Sequence, residues 1–176
     1  MRLHFTIAER GIPIPVTREH LTLYSGPSQI IATALMFRLF GRAIADLAPE
    51  GPPERTDIAV LTAFPGPGVM DCIEYVTRAR TMDDGRFAVD LKAGPVEAPE
   101  ALPGKHYYEV EICGKRRGYW PVDGYFDKTF LTMVSRYQAG HNSPEHEAAY
   151  QAYKHEFIGR LLGASEDSLF RFRDIA

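Results

Sequence analysis

Residues 57–64 read Asp-Ile-Ala-Val-Leu-Thr-Ala-Phe, a nearly continuous apolar run, and Pro65-Gly66-Pro67-Gly68 follows at once. A short apolar run bounded by turn residues suits a strand buried on both faces. The Pro-Gly stretch forces a tight turn. Residues 69–80 then read as a helix with Val69, Ile73 and Val76 inward, and with Asp71 in the first turn as a partner for the helix dipole. Strand, corner and helix in this order imply a layered α and β arrangement. A ligand in such a layer commonly sits where the strand end meets the helix start.

The flanking sequence fills in the layers. Residues 3–7 read as a short strand, and residues 11–20, with Gly11, Pro13 and Pro15, as an extended lead-in. A long helix is predicted over 27–48. Ser25 or Gly26 would cap it, Pro27 suits its first position, and Ile31, Leu35, Leu39 and Leu47 recur at helical spacing. Residues 86–91 alternate like a strand. Residues 93–104, rich in Pro and Gly, read as a loop insertion. Residues 106–112 and 115–120 flank Cys113-Gly114 as a β-hairpin. Helices are predicted over 126–137 and 143–162, the second capped by Ser143 with Pro144 behind it and carrying Tyr150, Tyr153, Phe157 and Leu161 on one face. A last turn and a strand over 169–175 complete a C-terminal helix and tail, 143–176. Helices and strands mix without strict alternation, so the expected class is α+β, a mixed sheet packed with helices in one domain spanning 1–176.

Composition narrows the function classes. A chain of 176 residues that is 45% hydrophobic and 24% charged is neither disordered nor collagen-like, and two cysteines are too few for a disulfide framework. The net charge of −3 offers no basic surplus for nucleic acid or an anionic membrane. The most apolar stretch, 30–47, carries Arg38, Arg42 and Asp46 and reads as no membrane span. The start lacks the apolar core of a signal peptide, so a soluble, cytoplasmic protein is expected.

Chemistry-bearing residues gather near the corner. Asp71, Cys72 and Glu74 fall in the first turns of its helix, where a thiolate is favoured and could serve as nucleophile or metal ligand. The plain alternative is a small buried Cys72 with Asp71 as dipole partner. His20 and His106 could each approach the corner. Gly66-Pro67-Gly68 resembles a fragment of a dinucleotide loop, but its prolines remove backbone donors and argue against a phosphate cradle. His141 and His146 flank a helix start without sharing a helical face. Lys105, Lys115, Arg116 and Arg117, interleaved with Tyr107, Tyr108, Tyr119 and Trp120, suit either an anionic or flat ligand or a solvated amphipathic hairpin.

Four segments in order resemble the FmdE-like family, named for one of the subunits of formylmethanofuran dehydrogenase. They are Tyr24-Ser25-Gly26-Pro27-Ser28 ahead of an apolar helix; Gly68-Val69-Met70-Asp71-Cys72-Ile73-Glu74-Tyr75-Val76-Thr77 followed by Asp84-Gly85-Arg86-Phe87; Gly104-Lys105-His106 with Gly114-Lys115-Arg116-Arg117; and residues 161–170 with their acidic, Leu-Phe ending. Asp71, Thr77, Lys105 and Lys115 match the family pattern. The resemblance implies an α+β domain, a homodimer, and a link to molybdenum- or tungsten-dependent one-carbon metabolism with partner subunits of such an enzyme. It also implies histidine and cysteine ligands for a divalent metal such as zinc or nickel. Here those positions read Tyr24, Gly26 or Ser25, and Pro67, while Cys72 stands where the family tends to have alanine. The family's C-terminal zinc ribbon has no counterpart.

Three expectations follow. The first is an accessory or small-ligand-binding protein whose cleft draws on His20, Tyr24, Asp71, Cys72, Glu74, Lys105 and His106. Tyrosine in place of a metal-ligating histidine favours a hydrogen-bonded organic ligand. The second is an enzyme using Cys72 or Tyr24 with Asp71, Glu74 or a histidine as base. The third is a divergent metal site built from His20, Cys72 and His106.

Overall fold

The computed structural model describes residues 3–140 and 143–176. Its chain order is β1 (Phe5–Glu9), β2 (Ile12–Val16), α1 (Arg18–Ser25), α2 (Ile30–Leu47), β3 (Ile58–Thr62), α3 (Pro67–Thr77), α4 (Ala79–Met82), β4 (Phe87–Val89), β5 (Tyr108–Ile112), β6 (Lys115–Pro121), α5 (Lys128–Gln138), α6 (Pro144–Gly163), α7 (Glu166–Leu169) and β7 (Phe170–Ile175). Five strands form one mixed sheet in the order β4-β3-β5-β6-β7; β3 and β4 run parallel and the other neighbours antiparallel. β1 and β2 form a separate hairpin. The fold is α+β, as the segment order implies. Among the described residues no helix is long and apolar enough to cross a membrane.

α2 is the organising element. Its apolar stripe widens to nearly the whole circumference because the helix touches α1, α3, α6 and strands β5 and β6. Leu35, Met36, Leu39 and Phe40 are at most 1% exposed. Each such side chain contributes roughly 1.5–3 kcal/mol by leaving water. Beneath it, alternation along the strands brings Ile58 and Val60 of β3 and Tyr108, Val110 and Ile112 of β5 into the same core. The polar residues within α2 are each engaged. Arg38, 5% exposed, donates to the carbonyl of Ala164 at the end of α6. Arg42 pairs with Asp46, which also accepts from Arg117 and Tyr119 of β6 and so ties helix to sheet.

Several local expectations shift. Residues 11–20 are not a lead-in: they hold β2 and the start of α1. Pro13 and Pro15 sit two apart in β2, on the hairpin's outer strand, where alternate residues need no ladder donor. α1 is capped by Thr17, whose hydroxyl accepts from the His20 N–H while the His20 ring accepts from the Thr17 N–H. β3 is buried on one face only, since Ala59 and Leu61 are half-exposed on the other. The predicted helix over 69–80 breaks at Arg78, which adopts a left-handed conformation at φ 54° and starts α4.

The 93–104 segment is a loop, but it is not wholly superficial. Its Ala98 packs with Tyr107, Trp120 and Ala63 in a second small core. The aromatic residues of the β5–β6 hairpin are thus buried, and its two arginines are paired: Arg116 with Glu111, and Arg117 with Asp46 and Asp174. The hairpin therefore presents no aromatic face for stacking.

Candidate functional site

The corner after β3 is built by its own sequence. The Thr62 hydroxyl accepts from the Phe64 N–H at 3.1 Å and donates to the Phe64 carbonyl at 3.0 Å, which turns the chain out of the sheet. Gly66 is the extended cap residue of α3 and Pro67 takes the first helical position. The Met70 N–H makes the first intrahelical bond, to the Gly66 carbonyl. No side chain caps this helix, so the N–H groups of Gly68 and Val69 have no hydrogen-bond partner among the described residues. The prolines therefore do not empty the corner of donors: Pro67 occupies the one position whose donor would be orphaned anyway. Glycine is required at 68 by close approach. A Cβ there would lie 2.7 Å from Gln29 Cβ and 2.8 Å from Ala32 Cβ.

Gly68 and Val69 border a cavity of about 270 Å³. Gln29, the cap residue of α2, and Ala32 and Leu35 in its first turns form one side. Phe64 comes from the corner and His106 from the residues just before β5. Phe126 and the α5 residues Phe130, Val134 and Tyr137 form a further wall, and Tyr150 and Lys154 come from α6. The aromatic wall holds itself together: Phe126 lies 4.8 Å from Phe130 and 5.2 Å from Phe157, and Tyr137 stacks on Tyr150 at 4.1 Å.

Two titratable groups define the electrostatics. His106 is 3% exposed, with Phe126 at 3.9 Å and Phe64 at 4.9 Å from its ring. Burial pushes its pKa down to about 3, so the ring is neutral. Its Nδ1 lies 3.3 Å from the Tyr108 hydroxyl, and its Nε2 is buried without a partner. Lys154 is also 3% exposed. Its ammonium sits 5.1 Å over the Tyr150 ring and has no hydrogen bond or ion pair among the described residues. Burial lowers its pKa, with Glu147 opposing the shift. None of the lining residues is acidic. The arrangement can hold a molecule with an apolar body and hydrogen-bond acceptors.

Of the seven residues expected to line the cleft, His106 alone borders this cavity. Cys72 is the sixth residue of α3, past the turn with free donors. It is fully buried, 3.9 Å from the Ser25 hydroxyl, and burial pushes its thiol up to about 12. The expectation of a favoured thiolate is therefore corrected, because desolvation outweighs any dipole effect. Asp71, half-buried, also lies beyond the first turn and does not reach the cavity. Glu74 accepts from the N–H groups of Arg80 and Thr81 and from the Thr81 hydroxyl, holding α4 against α3.

Tyr24 and Glu74 border a different cleft, with Arg55, Tyr75 and Arg78. The rings of Tyr24 and His20 stand 5.5 Å and 6.4 Å from Tyr75. Lys105 donates to the Pro95 carbonyl and pins the 93–104 loop. His146 lies beside Arg136, and His141 falls outside the described residues.

Lys154 escaped the sequence reading, although it leaves a trace there. It stands four residues after Tyr150 and three before Phe157, a lone cation inside an apolar helical stripe. Phe126 and Phe64 carry no comparable signal. Among the described residues, no three His, Cys, Asp or Glu side chains gather into a group that could hold a metal ion. The positions at which the family resemblance implies metal ligands are Tyr24, Ser25, Gly26 and Pro67, and these do not fit a transition metal. In comparison with known proteins, the chain matches no family model and no curated protein.

Proposed function

We propose that this is a small-ligand-binding accessory protein whose ligand occupies the cavity at the β3–α3 corner. The observation that carries the reading is the pairing of a largely apolar cavity of about 270 Å³ with unpartnered donors on residues that line it. That volume lies near the lower end of small-molecule sites, about 300–1,000 Å³. Unsatisfied buried polar groups are rare in folded proteins, and a ligand is one of the few things that satisfies them. The four segments resembling the FmdE-like family support a role beside molybdenum- or tungsten-dependent one-carbon chemistry, as a homodimer or with the other subunits of formylmethanofuran dehydrogenase.

A neutral aromatic probe tests the cavity. 2-Naphthylmethanol is expected to bind once per chain, and Val134→Trp, which fills the space from α5, is expected to abolish binding while leaving the circular dichroism spectrum unchanged. Absence of binding to the wild type by this probe and by the corresponding carboxylate and phosphate, or equal binding to the filled variant, overturns the proposal.

A further inference from the structure

Resting on the reading above, the chemistry of the cavity defines its ligand further. The Tyr108 hydroxyl is fully buried, and His106 Nδ1 is its one hydrogen-bond partner among the described residues. If Nδ1 carried the proton, the tyrosine O–H would be a buried donor without an acceptor. The tautomer that avoids this has the Tyr108 O–H donating to Nδ1 and the proton on Nε2. The buried, unpartnered Nε2 is then an N–H donor. It joins the Gly68 and Val69 N–H groups and the Lys154 ammonium. All are donors, one is a cation, and no lining residue is acidic.

We propose that the cavity takes a monoanionic organic carboxylate, its acidic group received by Lys154 and the free N–H donors and its aromatic or aliphatic body lying against Phe64, Phe126 and Phe130. One buried ammonium matches one negative charge. A phosphate dianion would leave a charge uncompensated in an apolar wall, which is costly.

The test compares three ligands of one shape by fluorescence titration near pH 7: 2-naphthoate, 2-naphthylmethanol and 2-naphthyl phosphate. The carboxylate is expected to bind at least tenfold more tightly than the alcohol, and the phosphate more weakly than the carboxylate. Lys154→Met is expected to reduce the carboxylate's advantage to under threefold while the alcohol's affinity holds. Alcohol binding as tight as the carboxylate's, or an unchanged advantage in Lys154→Met, overturns the charge assignment and leaves the cavity reading standing. Phosphate binding as tight as the carboxylate's overturns the single-charge match. Failure of all three to bind the wild type refutes the cavity reading itself.

Discussion

His106 Nδ1 stands 3.3 Å from the hydroxyl of Tyr108, two residues along the chain. The spacing is that of an extended segment, in which residues i and i+2 share a face. The pair couples the core of the sheet to the cavity: one ring nitrogen is satisfied inward and the other is left without a partner.

Burial of this ring predicts an acid-sensitive fold. The folded-state pKa of His106, about 3, lies below the unfolded value near 6.5, so the unfolded chain binds the extra proton between those limits. Stability is therefore full above about pH 6.5 and falls as the pH drops toward 3. Relative to His106→Phe, wild type is expected to lose about 1.4 kcal/mol more per pH unit between pH 5.5 and 4.5. Urea titrations at those two values measure this, and parallel losses in the two proteins would contradict a neutral buried imidazole.

The two thiols should differ sharply. Cys113 is exposed in the β5–β6 turn, whereas Cys72 is buried with its pKa pushed up to about 12. A disulfide reagent at pH 7.5 is expected to label one thiol per native chain and two in denaturant. Rapid native labelling that survives Cys113→Ser would restore Cys72 as a reactive group.

Two glycine substitutions should move stability in opposite directions. Gly68→Ala drives a methyl group to within 3 Å of Gln29 and Ala32 and is expected to cost about 1–3 kcal/mol by overpacking. Gly159 is exposed in the interior of α6 with nothing within 4 Å of a built Cβ. Gly159→Ala is expected to stabilise by about 0.5–1 kcal/mol through backbone entropy and helix propensity. Thermal melts of both variants decide, and a neutral Gly68→Ala would show that α2 and α3 are not in tight contact.

Arg86 binds three carbonyls at once. Its Nη1 donates to Ile58 at 2.9 Å and Arg55 at 3.0 Å and its Nη2 to Thr77 at 3.3 Å, gathering the end of α3 and the start of β3. Lysine carries the charge without the fork, so Arg86→Lys is expected to destabilise by about 1–3 kcal/mol. A urea midpoint equal to that of the wild type would mean that the carbonyls find water instead.

Where a segment's conformation depends on its own residues, it was legible. The β3 run, the Pro-Gly corner and the Ser143-Pro144 start of α6 announce themselves through local sterics. So does the hairpin turn, where Cys113 and Gly114 both take positive φ, 52° and 78°. β2 was not legible, because Pro13 and Pro15 read as breakers until a partner strand shows that their side of the ladder needs no donors. α1 was missed because it is eight residues long and one of them, Leu21, is buried.

By itself the amino-acid order determined the types of the elements from α2 onward and the location of the corner, since backbone restriction and apolar periodicity act over a few residues. What the corner faces was decided by tertiary structure alone. Lys154, Phe126 and His106 reach the cavity from segments that lie some tens of residues further along the chain, brought there by the packing of α6 beside α2, of α5 on α6, and by the pairing of β5 with β3. The neighbours of Asp71 and Cys72 in sequence said little about their surroundings, because a helix turns a residue's side chain away within one or two positions.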